Sequence, residues 1–185
     1  MAEAFTNKLV RAAGIVSTTD STAAIGANAT AITNIQTANL HVGDLVVNQN
    51  FRAGTKVSSI TNANAVAVDR ASTNSSATTN QIVKFLGVTT AFTSSGTEKS
   101  ILIGGTFANL TENDINISVE IFDNSAVGTA NSTSLLASDI PIPSGSSFVI
   151  SEAGKTVLEQ NDQVKIYCDV ANAVDVTLAI LSGVS

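Results

Sequence analysis

The stretch Val164-Lys165-Ile166-Tyr167-Cys168-Asp169-Val170, followed after Ala171-Asn172-Ala173 by Val174-Asp175-Val176-Thr177-Leu178-Ala179-Ile180, decides the fold class. In both runs every second residue is aliphatic or Cys, and the residues between them are mostly polar. Successive side chains on a strand point to opposite faces, so each run has one face to bury and one to wet. A helix would need its apolar residues three and four apart. The three-residue connector has hairpin length, which predicts that the two strands are antiparallel neighbours. Ile115, Ile117, Val119 and Ile121 alternate in the same way with Asn116, Ser118 and Glu120.

Outward from these runs, residues 100–109 read as a further strand, with Gly104-Gly105 marking a bulge or a close backbone approach. Thr111-Glu112-Asn113-Asp114 and Asp123-Asn124-Ser125 carry side chains that hydrogen-bond their own backbone and predict turns. Pro141, Pro143 and Gly145 confine 140–147 to an edge strand or an extended crossing segment. Half-buried strands separated by turns predict an all-β chain with an antiparallel β-sandwich or jelly-roll-like domain.

The first half differs in texture. Residues 17–80 are dominated by Ala, Thr, Ser and Asn, and 72–80 reads as a loop. Short strands are predicted over 42–47, 51–57, around Ile60 and over 65–68, with turns at Gly43-Asp44, Ala53-Gly54 and 62–64. Helix over 23–35 is the alternative, disfavoured by β-branched and Asn content and by apolar spacing that does not settle on 3.6. Gly14-Ile15-Val16-Ser17-Thr18-Thr19 is echoed by Gly87-Val88-Thr89-Thr90. A strand ending near Val16 and another beginning near Lys84 then belong to one sheet of the sandwich. Residues 1–16 and 84–185 form that domain, and 17–83 form an inserted small β module.

Composition excludes several classes. Thr, Ser and Asn account for 60 of the 185 residues, Cys168 is the single cysteine, and there is no Trp. A disulfide framework is therefore impossible within the chain. No apolar run approaches the roughly 20 residues that a membrane-spanning helix needs, and Met1-Ala2-Glu3-Ala4-Phe5 is not a signal peptide. Residues 1–100 carry seven basic and five acidic groups, residues 101–185 two and ten, giving −6 in all. Nucleic-acid binding needs a basic face and is not expected; nor is a membrane.

The search for chemistry is short. A metal site would need more ligands than His41 at suitable spacing, and a Ser-His-Asp triad would have only His41 to use. Cys168 lies on the apolar face of its strand, where a buried thiol is the ordinary outcome. Glu112, Asp114 and Asn116 form an oxygen-rich run that suggests calcium, but turn capping accounts for the same residues. Glu159 and Asp162 pair only on paper, and no phosphate-binding glycine pattern occurs. No catalytic residue, cofactor or metal is assigned, and an enzyme is not expected.

A resemblance adds to this reading. Residues 101–111 (Ile-Leu-Ile-Gly-Gly-Thr-Phe-Ala-Asn-Leu-Thr) precede Ile115-Asn116-Ile117-Ser118-Val119. Asp139-Ile140-Pro141-Ile142-Pro143 runs on to Phe148-Val149, and Lys155-Thr156-Val157-Leu158-Glu159 to Asp162-Gln163-Val164-Lys165. With the closing run 174–181 and the opening Phe5-Thr6-Asn7-Lys8-Leu9-Val10-Arg11, this order resembles small β-sandwich virion proteins of tailed bacteriophages, especially cyanophages. Val42-Gly43-Asp44, Phe51-Arg52-Ala53-Gly54-Thr55 and Ile60 are similar to a β module of phage structural and fibre proteins. A Gly usually precedes the acid after Leu-Glu in that family; here Asn161 stands before Asp162, a residue that also tolerates a left-handed turn.

The resemblance implies a non-enzymatic structural protein of the virion, assembled in the host cytoplasm. The leading expectation is a capsid decoration (cement) protein on the head shell, self-associating as a homotrimer and bound to the major capsid protein. Phe5, Lys8, Leu9, Val10 and Arg11 are the candidate contact with that partner; the alternative for them is the first strand of the protein's own sandwich. A neck, tail or fibre component, with host recognition as one possible role, is the alternative function.

Overall fold

A computed structural model describes residues 3–124, 132–151 and 155–184. Met1-Ala2 and Ser125, which belong to the opening segment and to one predicted turn, lie outside them. The protein is all-β, built from antiparallel sheets, with no helix among the described residues. It divides into two compact units, Met1–Gly14 with Thr89–Ser185, and Ile15–Val88.

The first unit is a β-sandwich. One sheet has the order β1 (Ala4–Ala13), β15 (Val174–Val184), β9 (Lys99–Asn109), β12 (Ser147–Ile150), and β13 (Thr156–Leu158) pairs with the other end of β9. The second has the order β11 (Ser132–Ile142), β10 (Ile115–Asp123), β14 (Gln163–Cys168), β8 (Thr89–Thr93). The alternating aliphatics of both sheets meet between them: Ile115, Ile117, Val119, Val164, Ile166 and Cys168 from one, Phe107, Val174, Val176, Leu178 and Ile180 from the other. Phe107 packs on Phe148 with ring centroids 6.0 Å apart. Each such side chain fully buried contributes roughly 1.5–3 kcal/mol.

The hairpin expectation is corrected. β14 and β15 are not hairpin neighbours; they lie in opposite sheets and face each other across the core. The connector does not close a two-stranded ladder, because the N–H groups of Asn172 and Ala173 donate to the carbonyls of Gly14 and Ala13. Gly14 is required there: its φ is +121°, and a Cβ would run into the carbonyl oxygen of Val170. The proline-containing stretch is two edge strands joined by a turn. β11 ends at Ile142 on the rim of one sheet, and β12 begins at Ser147 on the rim of the other. Gly104 sits at a register shift between β9 and β15, and a Cβ on it would lie 2.8 Å from the carbonyl oxygen of Ile150.

The second unit is a six-stranded sheet: β4 (Leu45–Val47), β7 (Thr78–Gly87), β2 (Ile15–Ile25), β3 (Ala31–Thr33), β6 (Ala65–Val68) and β5 (Val57–Asn62), in that spatial order. Its own core gathers Ile25, Ile32, Leu40, Val46, Val66, Val83 and Phe85. Val16 pairs Leu86 and Thr19 pairs Lys84, so the strands near Val16 and Lys84 do share a sheet, but it is this one and not the sandwich. The unit boundaries accordingly fall at 14/15 and 88/89. The turn expected at Ala53-Gly54 is present, held by Thr55 N–H and Oγ1 donating to the Arg52 carbonyl, but Phe51 and Arg52 before it are not in a strand. Residues 78–80, read as loop, belong to β7. Residues 23–35 run through β2, a turn and β3.

Candidate functional site

The polar residues singled out for chemistry are occupied with holding turns. Asp162 accepts from the N–H of Glu159 (2.9 Å) and of Asn124 (3.0 Å), while Glu159 pairs with Lys99 at 3.0 Å. The two carboxylates therefore have separate structural tasks. Asp114 accepts from the Ser144 N–H at 3.3 Å, and the backbone N–H of Asn116 donates to Asp169 at 2.7 Å. His41 is exposed and its backbone N–H donates to the Asp44 carboxylate at 2.9 Å; Cys168 is buried. Among the described residues, no group of three or more His, Cys, Asp or Glu could hold a metal ion.

An open depression of about 650 Å³ in the second unit is bordered by Asp20, Asn34, Gln36 and Asn64. Asp20 is its only ionisable group. Burial raises the Asp20 pKa, but the N–H and hydroxyl of Thr22 and the N–H of Gln36 outweigh it and hold the carboxyl below the usual 3.8. Both oxygens are used in these bonds, at 2.8 to 3.1 Å. The group fixes a turn and has no partner set for acid–base chemistry on a ligand.

The feature that stands out is apolar. Residues directly opposite on antiparallel strands project from the same face. Val176, Leu178 and Ile180 point into the core, so their partners Val10, Lys8 and Thr6 lie on that side, whereas Leu9, Asn7 and Phe5 lie on the outer face opposite Thr177, Ala179 and Leu181. The same outer face carries Ile101 and Thr106 of β9, Val149 of β12 and Val157 of β13. None of these residues is charged; by the same alternation Asp175 of β15 and Lys99 of β9, the latter paired with Glu159 at 3.0 Å, also lie on that face. Phe5 is 78% exposed, Leu9 70%, Val149 54% and Val157 52%. A shallow groove of about 240 Å³ runs through it, lined by Ile103, Gly104, Thr106, Val149, Thr177 and Ala179.

The five N-terminal candidates are thus one edge strand, but they do not form one patch. Phe5 and Leu9 belong to the apolar outer face; Lys8 and the half-buried Val10 face the other way, and Arg11 is exposed next to the register shift that ends the regular pairing. Val149, Val157, Ile101 and Ile103 were not singled out from the sequence, although a signal was present. Ile101-Leu102-Ile103 is apolar at three successive positions, so that strand is apolar on both faces. Glu120 was also misread as wetted. It is 1% exposed and accepts from the hydroxyl of the equally buried Tyr167 at 3.0 Å. Comparison with protein-family models, with curated proteins and with solved structures finds no match to this chain.

Proposed function

We propose that the protein is a non-enzymatic structural component of a phage virion, a capsid decoration protein that attaches to the head shell through the outer face of the β1-β15-β9-β12 sheet. The observation that carries this reading is the group of exposed apolar side chains Phe5, Leu9, Val149 and Val157 on that face. Large apolar side chains gathered on one exposed face mark adhesion rather than folding. The resemblance described above supplies the phage setting. Each of these side chains that becomes buried against a partner contributes roughly 1.5–3 kcal/mol, and repeated identical sites on a shell add avidity. The shell's major capsid protein is the partner, the capsid surface is the location, and the host cytoplasm is where the particle is assembled.

Copy number tests the reading. Gel densitometry of purified virions should give on the order of hundreds of copies per particle, the stoichiometry of a shell lattice. About a dozen copies would overturn it in favour of a neck, tail or fibre component. The bound protein should also be lost from shells when the apolar face is made acidic.

A further inference from the structure

We propose that β1 is a self-recognition edge: two copies of this chain join their five-stranded sheets by antiparallel pairing of β1 with β1 about a two-fold axis at Asn7. The inference goes beyond the proposed attachment to a shell, does not rest on it, and puts a two-fold dimer in place of the homotrimer that the resemblance implies. β1 has ten residues and no proline, and among the described residues its only ladder partner is β15. Long open edges of this kind are templates for another strand.

The sequence of the strand selects the partner and the register. On an antiparallel edge, outward-pointing backbone groups recur at every second residue, so a strand pairing with its own copy must match residues of the same parity. Three central registers satisfy this. Centring on Lys8 places Lys8 against Lys8 and Phe5 against Arg11. Centring on Thr6 places Leu9 against Glu3 and leaves Phe5 against Asn7. Centring on Asn7 places Phe5 against Leu9 twice, Glu3 against Arg11 twice, and Thr6 against Lys8. Only the last matches apolar with apolar and opposite charges with each other, and it does so symmetrically, as an isologous interface demands. Phe5 and Leu9 both project from the outer face, so the pairing also joins the apolar faces of the two copies into one surface.

Disulfide trapping in the full chain tests the register. Directly opposed residues on antiparallel strands have Cα atoms about 4.5–5.5 Å apart, within the span a disulfide bridges. Asn7→Cys should therefore form a covalent dimer under mild oxidation. Thr6→Cys and Lys8→Cys should not, since each meets its own copy about 7 Å further along the strand. Cys168 is buried and does not compete. Sedimentation of the unaltered chain should show a concentration-dependent monomer–dimer equilibrium, weakened at least about tenfold by Leu9→Asp. At low salt, Glu3→Lys and Arg11→Glu should each weaken the dimer, and the two together should restore it. Equal trapping of all three cysteine variants, a monomer at every concentration, a trimer, or failure of the double reversal to restore dimerisation would each overturn the proposal.

Discussion

Replacing Phe107 with Ala should unfold the sandwich early and leave the six-stranded unit untouched. Phe107 is fully buried, and its ring packs on Phe148 at 6.0 Å with an interplanar angle of 32°. Removing such a ring from a closed core costs about 3–5 kcal/mol, which includes the lost aromatic contact. With a urea dependence of about 2 kcal/mol per molar for a domain of this size, the midpoint should fall by about 1.5–2.5 M. The chain supplies its own reporter. Tyr167 is the only tyrosine, there is no Trp, and Tyr167 is buried on β14 of the sandwich, so its fluorescence reports on that unit. Far-UV circular dichroism reads both. Phe85 is as deeply buried, but in the core of the second unit. Phe85→Ala should therefore shift a dichroism transition by a similar amount and leave the tyrosine transition in place. If Phe85→Ala moved the tyrosine midpoint as far as Phe107→Ala does, the account of two separately cored units would be wrong.

Three further outcomes are expected. Joining Gly14 directly to Thr89, with 15–88 removed, should give a sandwich that still melts cooperatively, because the Gly14 N–H already lies 3.4 Å from Thr89 Oγ1; loss of the tyrosine transition would count against it. Asn161 has φ +66°, so Asn161→Gly should leave the melting temperature equal or higher while Asn161→Val lowers stability by about 1–2 kcal/mol, read by thermal dichroism. The Asp20 carboxyl is held below its usual value in the folded state, so its contribution to the second unit is complete above about pH 4 and is lost as pH falls through the folded pKa. Asp20→Asn should flatten that acid dependence, and a dichroism titration showing the same acid midpoint with and without the carboxylate would contradict the assignment.

The sandwich was legible where strands alternate cleanly. Ile115 to Ile121 and Val174 to Ile180 bury the residues their period selects, and Pro141 stands on an edge strand. The pairing of β14 with β10 rather than with β15 was not legible, because the same alternation serves a hairpin and a crossing between sheets. The backbone bonds from Asn172 and Ala173 to the chain around Gly14 decide between them, over a sequence separation that no local pattern spans. β2 and β7 were hidden for another reason. Their pairing shifts register between Val16 and Thr18, between Asp20 and Ala23, and between Ala23 and Ile25, and each shift breaks the period of two. The apolar face was only half visible. Phe5 and Leu9 could be seen as apolar in a short segment, but their joining with Leu181, Ile101, Val149 and Val157 depends on the register of four strands drawn from distant parts of the chain. The left-handed backbone at Asn161, φ +66°, is one that Asn tolerates without a glycine, as its sequence position before Asp162 allowed.

The central claim is that the outer face of the five-stranded sheet is apolar for adhesion and not for folding. Val149 and Val157 lie on strands that pair with β9, outside β1, so changing both to Asp leaves the N-terminal edge intact. The most direct measurement is co-sedimentation of the Val149→Asp, Val157→Asp double variant with shells of the phage proposed as its source, alongside its tyrosine-detected unfolding curve. The account predicts an unfolding midpoint close to that of the unaltered chain and loss of shell binding. A folded variant that still bound shells with full occupancy would contradict it.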